Sequence, residues 1–234
     1  MDCIPPVVLA APESEVKKHP DYHAAKGGDA DAAFRLIRDL LTERAVTELA
    51  DLAGNDRPML VAVHAEEEFG KNAIPEALAD VLGVRLGLDV EETIVQANVV
   101  NHTGADGFSR LARQAVFAGD VKRHQLFVMV DDFVGQGGTL ANLKGHIETR
   151  GSRVLGALAL TGKPHSAKLA LTPERLATLR EKHGALEHWW QEEFGFGFDR
   201  LTESEARYLE ITADADTIRN RIAAARQAAG AGAG

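Results

Sequence analysis

Apolar residues along this chain fall into two patterns, continuous runs and helical spacings, and the two patterns alternate. Four runs are predicted to be strands buried on both faces, because such strands carry apolar residues without interruption. They cover residues 59–65, 93–100, 126–130 and 154–161. Helical spacing is found over residues 29–53, 74–82 and 139–150. Strands that alternate with helices predict an α/β domain with a mostly parallel central sheet and right-handed crossovers.

The two ends of the chain differ in character from this middle part. Residues up to about 26 are rich in proline and charge and are predicted to form an extended arm. After Pro164 the pattern predicts a polar helix, an aromatic stretch, a short helix begun by a Thr202–Glu205 capping box, and a last helix. These cover residues 172–183, 187–198, 202–209 and 213–229. The predicted division is an N-terminal arm and helix at 1–57, a core at 58–165, and a small C-terminal helical hood with a frayed tail at 166–234.

The most informative segment is the turn that follows the third apolar run. Two acids, Asp131 and Asp132, end the run, and Gly135, Gly137 and Gly138 follow them. Glycines let the backbone turn tightly and approach a ligand, and the amides of such a turn before a helix favour an anion such as phosphate. Two carboxylates repel a phosphate, so they are expected to face hydroxyls or a metal ion on the same ligand. A sugar phosphate has both features, whereas a turn that merely carries polar residues is the structural alternative.

Residues 128–140 resemble the ribose-5-phosphate-binding motif of the type I phosphoribosyltransferases, an apolar strand followed by two acids and a loop ending in Gly-Gly-Thr. The resemblance implies the three-layer α/β domain of that family. It also implies that Asp131 and Asp132 hold the ribose 2′ and 3′ hydroxyls of phosphoribosyl pyrophosphate (PRPP). The loop that would wrap the 5′-phosphate consists of Gly135, Gln136, Gly137, Gly138 and Thr139. At the first two of these positions the family often has Thr or Asp and then Thr, so the Gln amide is expected to donate in place of a hydroxyl.

Other phosphate-binding and catalytic motifs fit less well. The chain has no G-x-x-x-x-G-K-[ST] sequence, which excludes a P-loop. A dinucleotide-binding turn would need a glycine at the position of Leu140 and no acids before the turn. The scattered histidines form no zinc-binding pattern, and the G-x-S-x-G elbow of the α/β-hydrolases is absent from the sequence.

Phosphoribosyl transfer also needs groups that neutralise the pyrophosphate as it leaves. The loop after the first apolar run contains Gly70 and Lys71 and resembles in position the pyrophosphate-binding loop of the family. Its three glutamates at 66–68 oppose an anion unless they face away or meet Mg²⁺. A solvated acidic turn is therefore the alternative interpretation of this loop.

The long segment between the second and third runs carries Arg110 and Arg113, three residues apart on one face of a predicted helix. The segment resembles the mobile loop that covers PRPP in the family, most closely in the competence-associated phosphoribosyltransferase-like proteins. A lid of this kind would bring guanidinium groups to the pyrophosphate. A surface helix with two solvated arginines is the alternative.

The sequence gives a less specific indication of the residues that would bind the acceptor base. Lys163, before Pro164, stands where purine-salvage members of the family place a lysine on the 6-oxo group of the base. Those members carry an acid at the position of Gly135, which argues against a 6-oxopurine, and a strand-end lysine in solvent is equally consistent. The aromatic residues at 189–198 fit a hood that stacks on a base, but a hydrophobic cluster that seals a subdomain is the favoured interpretation.

Composition narrows the class of protein without changing this picture. The 234 residues are 45% apolar and 26% charged, as expected for a globular domain, and the lone Cys3 excludes an internal disulfide. The net charge of −9 argues against a nucleic-acid partner. No run has membrane length and no signal peptide is visible, so a cytoplasmic location without membrane binding is expected.

Together these features predict a phosphoribosyltransferase that binds PRPP and Mg²⁺ and transfers ribose 5-phosphate to a nitrogenous base. On this interpretation Asp131 and Asp132 also face the metal ion, and Asp132 is the candidate for proton transfer. The sequence does not determine the oligomeric state, although members of the resembled family are often homodimers. Two alternatives stay open: a non-catalytic sensor of PRPP or nucleotides with the same fold, and a nucleotide-binding protein unrelated to PRPP.

Overall fold

The computed structural model describes residues 4–64, 66–67, 70–98 and 106–231. Its strands are β1 (Val8–Leu9), β2 (Met59–Ala62), β3 (Glu66–Glu67), β4 (Gly70–Lys71), β5 (Val90–Glu91), β6 (Val95–Gln96), β7 (Phe117–Ala118), β8 (Leu126–Val134) and β9 (Arg153–Gly162). Its α-helices are α1 (Glu13–Lys18), α2 (Tyr22–Lys26), α3 (Ala30–Leu40), α4 (Glu43–Ala53), α5 (Ile74–Leu86), α6 (Gly107–Ala112), α7 (Gly138–Glu148), α8 (Pro173–Phe194), α9 (Glu203–Glu210) and α10 (Ala215–Ala231). Short 3₁₀ turns cover Pro164–Ser166 and Phe198–Arg200.

A five-stranded sheet with the strand order β1-β9-β8-β2-β5 lies at the centre of the fold. Each of its strand pairs is parallel. The two antiparallel pairs, β3 with β4 and β6 with β7, are small ribbons outside this sheet. The predicted fold class, an α/β domain with a mostly parallel central sheet, is therefore confirmed.

The sheet is buried on both faces, and β8 shows why its sequence is apolar without interruption. Val128 and Val130 belong to a core on one face, where α3, α4 and α5 pack. Phe127 and Met129 belong to a second core on the other face, where α7 packs. All four side chains are fully buried, and burial of such side chains stabilises the fold by about 1.5–3 kcal/mol each. Helices on both faces give the three layers that the sequence predicted.

The predicted helix at 29–53 is two helices, α3 and α4. Leu41 leaves the helical region, with φ −72° and ψ 109°, and Thr42 begins the second helix. The Thr42 hydroxyl accepts a hydrogen bond from the amide of Ala45 at 3.3 Å, as an N-cap residue does. The helical spacing of apolar residues did not indicate this break because both helices bury their apolar faces in the same core.

The predicted strand at 93–100 is wrong as a strand of the central sheet. The strand that pairs with β2 is β5, Val90–Glu91, whereas Val95–Gln96 pairs with Phe117–Ala118 in a separate ribbon. The Glu91 carboxylate accepts hydrogen bonds from the Thr93 amide at 2.8 Å and the Thr93 hydroxyl at 2.6 Å. These bonds turn the chain out of the sheet, and residues 99 and 100 of the predicted strand lie outside the described residues.

The first 26 residues are folded rather than extended, where the structure describes them. β1 pairs with β9 at the edge of the sheet, and α1 and α2 follow it. Val16 and Ala25 are buried in the core, and the Ala25 carbonyl accepts a hydrogen bond from the Ala73 amide at 3.1 Å. Elements this short carry too few residues for a periodic pattern, so the sequence did not reveal them.

The C-terminal part forms a third core with α6, α8, α9 and α10. Trp190 and Phe198 are fully buried in it, which confirms the interpretation of the aromatic stretch as a cluster that seals a subdomain. The predicted helix at 172–183 continues to Phe194 through a kink at His183. The capping box of Thr202 and Glu205 is confirmed at the start of α9. None of the helices in the described ranges has the length and apolar character needed to cross a membrane.

Candidate functional site

A cavity of about 720 Å³ lies beyond the carboxyl ends of β2 and β8. It is lined by the N-terminal helices, by the end of β8 and the turn that leads to α7, by the end of α6 and the residues just after it, and by α9. Single residues at or just after the ends of β2, β4 and β6 also line it. Ligands of parallel α/β sheets bind at this edge of the sheet. The volume is within the usual range for pockets that bind small molecules.

The acid pair lies inside β8 rather than after it. The neighbouring strand β2 ends where Ala62 pairs with Val130, while β8 continues along β9 with Asp131 opposite Ala159. Both acids therefore extend past the end of one neighbour and line the cavity. The predicted strand ended at residue 130, because the sequence gives no indication that a parallel partner continues the pairing through charged residues.

Both carboxyl groups are buried, with 6% of Asp131 and 8% of Asp132 exposed. The Asp131 Oδ1 atom accepts a hydrogen bond from the Asp132 amide at 2.8 Å. Burial raises the pKa of Asp131 well above its ordinary value, and the charge of Asp132 raises it further. At this position Asp131 is able to donate as well as accept hydrogen bonds.

Lys26, the last residue of α2, is an unforeseen member of the site. Its Nζ atom lies 3.0 Å from Asp132 Oδ2, and the two side chains are 22% and 10% exposed. The Lys26 charge opposes the rise in the pKa of Asp131. Nothing in the sequence near residue 26 indicates this role, because the pair forms only when the N-terminal segment packs across the end of the sheet.

The turn between β8 and α7 presents a row of backbone amides to the cavity. The chain turns at Gly137, whose φ of 86° lies in the left-handed region that favours glycine, and α7 begins at Gly138. Among the hydrogen bonds of the described residues, no backbone amide from 135 to 140 has an acceptor. The five predicted loop residues, Gly135, Gln136, Gly137, Gly138 and Thr139, all line the cavity. Unpaired amides before a helix favour an anion, and we call this turn, residues 135–140, the anion cup.

Residues of the C-terminal part of the chain contact the side of the anion cup that carries its carbonyl groups. The Ser166 hydroxyl donates to the Gly135 carbonyl at 2.6 Å, and the Thr202 hydroxyl donates to the Gln136 carbonyl at 2.7 Å. The Leu169 side chain packs against Gly137, where a Cβ atom would lie 2.5 Å from Leu169 Cδ2. With two of its carbonyls bound on this side, the turn is held so that its amides, which have no acceptor among the described residues, line the cavity.

Arg110 and Arg113 both line the cavity, as the sequence predicted. Arg110 lies in α6 and packs so closely on the anion cup that a Cβ atom at Gly135 would overlap its guanidinium. Burial lowers the pKa of Arg110 from its usual value, although an arginine stays charged at any ordinary pH. Arg113 follows the end of α6, and its buried Nε has no hydrogen-bond partner among the described atoms.

The predicted lid helix is anchored to the C-terminal core. Phe108 and Leu111 of α6 are buried there, and a Cβ atom at Gly107 would overlap the Tyr208 ring. Residues 101–105 of the predicted lid lie outside the described residues. The packing of α6 thus places its arginines at the cavity.

Two predicted site residues are not brought to the cavity. Lys71 is exposed in β4, next to Gly70, and its Nζ atom lies 2.9 Å from Glu76 Oε1. Lys163 is exposed and lines a separate groove with residues of β1 and the start of α1. From the loop after β2, the structure brings Asn72 to the cavity instead, 3% exposed, with its Oδ1 accepting from the Ile74 amide at 3.2 Å.

A metal ion at this site would depend on its ligand for most of its oxygens. The described part of the chain has no group of three or more His, Cys, Asp or Glu residues arranged to hold a metal. The carboxylates of Asp131 and Asp132 fit Mg²⁺, which commonly takes one or two protein carboxylates and completes its shell with substrate phosphates and water.

Two curated proteins are similar to this chain in sequence. Protein TraN of Escherichia coli is 44% identical over 226 residues, which is 96% of this chain and 50% of TraN. An uncharacterized protein of Haemophilus influenzae is 42% identical over 146 residues, which is 62% of this chain and 33% of that protein. The chain therefore spans half the length, or less, of these curated relatives. No protein-family profile matches the chain.

Solved structures with some likeness to the chain include phosphoribosyltransferases. An adenine phosphoribosyltransferase aligns with a TM-score of 0.36 and 12% identity over 56% of this chain and 69% of that protein. The adenine phosphoribosyltransferase of Thermoanaerobacter pseudethanolicus gives 0.34 and 19%, over 57% of this chain and 70% of that one. UMP synthase of Leishmania donovani gives 0.33 and 12%, over 76% of this chain and 35% of that one. Likenesses this small carry no argument about function, which must come from the site.

Proposed function

We propose that this protein binds PRPP with Mg²⁺ and transfers ribose 5-phosphate to a nitrogenous base with release of pyrophosphate. One observation carries the proposal: the free amides of the anion cup, the acid pair and two arginines line the same cavity. Amides before a helix suit the 5′-phosphate, and carboxyl groups suit the sugar hydroxyls. Arg110 and Arg113 suit the pyrophosphate, since guanidinium groups bind phosphate oxygens in pairs.

The chemistry of the transfer matches the charges on the two sides of the cavity. Breaking the bond between sugar C1 and pyrophosphate leaves positive charge on the ring and negative charge on the leaving group. Asp131 and Asp132 lie where carboxyl groups would hold the ring through its hydroxyls, while the arginines receive the leaving group. Bound Mg²⁺ would supply further positive charge to the phosphate oxygens. Asp132 is the proposed proton-transfer group, and it must then share its carboxylate between Lys26 and the substrate.

A non-catalytic PRPP sensor is the second candidate, and the Lys26–Asp132 pair favours it. The acid proposed for proton transfer already contacts a lysine, and Gly135 offers no second acid beside the anion cup. A site with these residues is able to hold PRPP through its phosphates and hydroxyls without activating an acceptor. The acceptor base itself is left unassigned, because Lys163 lies in a different groove.

Pyrophosphate release separates the two candidates. The protein is incubated with PRPP, Mg²⁺ and a panel of purine and pyrimidine bases, and PRPP binding is measured in parallel by calorimetry. Release with one base supports the transferase, and binding without release for any base supports the sensor. A protein that binds neither PRPP nor ribose 5-phosphate, but binds another nucleotide, contradicts both. The double variant Asp131→Asn/Asp132→Asn is the control and is expected to lose PRPP binding while it still folds.

A further inference from the structure

The anion cup has a carboxyl group on its rim that the proposed function does not use. Glu205 of α9 lines the cavity with only 6% of its surface exposed. Its Oε2 atom accepts a hydrogen bond from the Thr202 amide at 2.9 Å, which completes the capping box of α9. Its Oε1 atom has no hydrogen-bond partner among the described residues. Oε1 lies against Gly138, where a Cβ atom would overlap it.

Glu205 therefore lies at the N-terminal ends of two helices. It is the third residue of α9, and Gly138 is the first residue of α7, the helix that begins at the anion cup. The capping box explains Oε2, but it leaves Oε1 without a hydrogen-bond partner among the described residues and next to the amides that would bind a phosphate. The side chain as a whole is buried and lines the cavity, so this oxygen is placed to bind a ligand there.

An ionised carboxylate next to a bound phosphate repels it, whereas a protonated carboxyl donates a hydrogen bond to it. We propose that Glu205 is a ligand-binding residue of the anion cup, whose carboxylic acid form donates a hydrogen bond from Oε1 to a phosphate oxygen. This inference rests on the proposed function, since it requires that the cup binds a phosphate. One proton enters from solvent as the anion binds, stays on Oε1 in the complex, and leaves with the anion.

The surroundings of Glu205 favour the protonated form. Burial raises the pKa of Glu205, opposed only by hydrogen bonding from Thr202. The charged and titratable groups on the elements packed against α9 include Arg110 of α6, Arg175 and His183 of α8 and His165 of the 3₁₀ turn, and α9 itself carries Glu203, Arg207 and Glu210. Arg175 is engaged by Glu203 and Glu210 rather than by Glu205. An arriving dianion raises the pKa of Glu205 further, so binding and protonation reinforce each other.

Sulfate is a suitable probe because it fits a phosphate site and, unlike a phosphate monoester, does not titrate near neutral pH. Its affinity is measured by calorimetry from pH 5 to 9, in pairs of buffers with different ionisation enthalpies. At pH values above the pKa of Glu205, wild-type protein is expected to take up close to one proton per sulfate, so affinity falls there by up to about tenfold for each pH unit. Below that pKa the carboxyl is already protonated and no uptake is expected. Ribose 5-phosphate and PRPP are titrated alongside as the proposed ligands.

Glu205→Gln is the decisive variant. Glutamine also completes a capping box, so the fold is expected to survive, and thermal unfolding followed by circular dichroism checks this. The amide donates at any pH, so E205Q should bind sulfate without proton uptake and with a flat pH profile. At pH 8 it should bind sulfate more tightly than wild type does.

Two control variants test whether Glu205 is the group that takes up the proton. His23 lines the same cavity, and His23→Gln should leave the proton uptake in place if Glu205 carries the proton. Glu192 is an exposed carboxylate of α8, and Glu192→Gln should also behave as wild type. Uptake that persists in E205Q, disappears in H23Q, or is absent from wild-type protein that binds sulfate overturns the inference and leaves the proposed function standing. Failure of wild-type protein to bind sulfate, ribose 5-phosphate and PRPP overturns both.

Discussion

Lys26 Nζ lies 3.0 Å from Asp132 Oδ2, and this contact ties the N-terminal segment to the centre of the candidate site. The lysine ends α2, whose neighbour Ala25 is buried and bonded to the loop that precedes α5. The N-terminal helices are therefore part of the site wall. A change at Lys26 is expected to affect both folding and the charge balance of the acid pair.

Replacing Lys26 by methionine should destabilise the fold by about 1–3 kcal/mol, because it leaves a largely buried carboxylate beside a second acid. The free energy of unfolding in urea measures the loss. In the double variant Lys26→Met/Asp132→Asn, residue 132 has no carboxylate that the loss of the lysine could leave unpaired. The loss should then fall short of the sum of the two single losses by about 1 kcal/mol or more. Strict additivity would show that the pair contributes nothing.

Asp131 should make the protein less stable as pH rises. Burial raises its pKa in the folded protein above that of the unfolded chain, so the folded form binds the proton more tightly. Its contribution is present in full below the unfolded pKa and is lost as pH rises from there towards the folded pKa. Asp131→Asn removes the titration while keeping an oxygen that accepts from the Asp132 amide.

The free energy of unfolding of the wild type minus that of D131N should therefore decrease between pH 4 and pH 8 by at least about 1 kcal/mol, since each unit of pKa difference is worth about 1.4 kcal/mol. Chemical denaturation at four or five pH values measures it. A difference that is constant with pH, or that grows, would mean that Asp131 is ionised throughout. Asp51, an exposed acid of α4, provides the matched control Asp51→Asn, which is measured over the same pH range.

Gly137→Ala tests the shape of the anion cup. The backbone there has a φ of 86°, and the new Cβ atom would meet the Leu169 side chain. A loss of about 1–3 kcal/mol of stability is expected, together with loss of ribose 5-phosphate binding, since the amides would turn away from the ligand. Calorimetry and thermal unfolding measure the two effects.

Gly145 of the same helix is the control for that substitution. It lies within α7, and a Cβ atom there has open space around it. Gly145→Ala should stabilise the protein by about 0.5–1 kcal/mol, because alanine favours the helix over glycine. Binding should be unchanged in G145A. If G137A binds ribose 5-phosphate as tightly as G145A does, the anion cup is not the phosphate site.

Arg113→Ala should weaken the binding of PRPP more than the binding of ribose 5-phosphate. Arg113 lines the cavity, and its buried Nε has no hydrogen-bond partner in the described ranges. A hydrogen bond to a charged group contributes about 1.5–3 kcal/mol. PRPP binding should weaken roughly 10- to 100-fold, while ribose 5-phosphate, which has no pyrophosphate, should weaken less than about threefold. Arg123, exposed and away from the cavity, gives the control Arg123→Ala. Equal losses for both ligands would place Arg113 at the 5′-phosphate instead.

The anion cup and the acid pair were readable in the sequence because they are local. Asp131, Asp132 and the three glycines follow one another in the chain, and their backbone geometry depends on neighbouring residues. The apolar run of β8 also predicted a strand with two buried faces, which the cores on either side confirm. The predictions from sequence were wrong where the apolar pattern of a segment did not match its strand pairing. Thr93 begins an apolar run, yet its amide and hydroxyl donate hydrogen bonds to the Glu91 carboxylate and turn the chain there, so that β5 and β6 belong to different sheets.

The sequence by itself determined the alternation of strands and helices, the glycine turn and the acids beside it, because each of these is written in residues close along the chain. Only the tertiary structure decided which side chains share the cavity. It brought Lys26 to Asp132 and Glu205 to Gly138, and it left Lys71 and Lys163 outside. Such contacts join residues far apart in sequence. They depend on how the N-terminal helices and the C-terminal core pack against the sheet, which periodicity and local propensity do not encode.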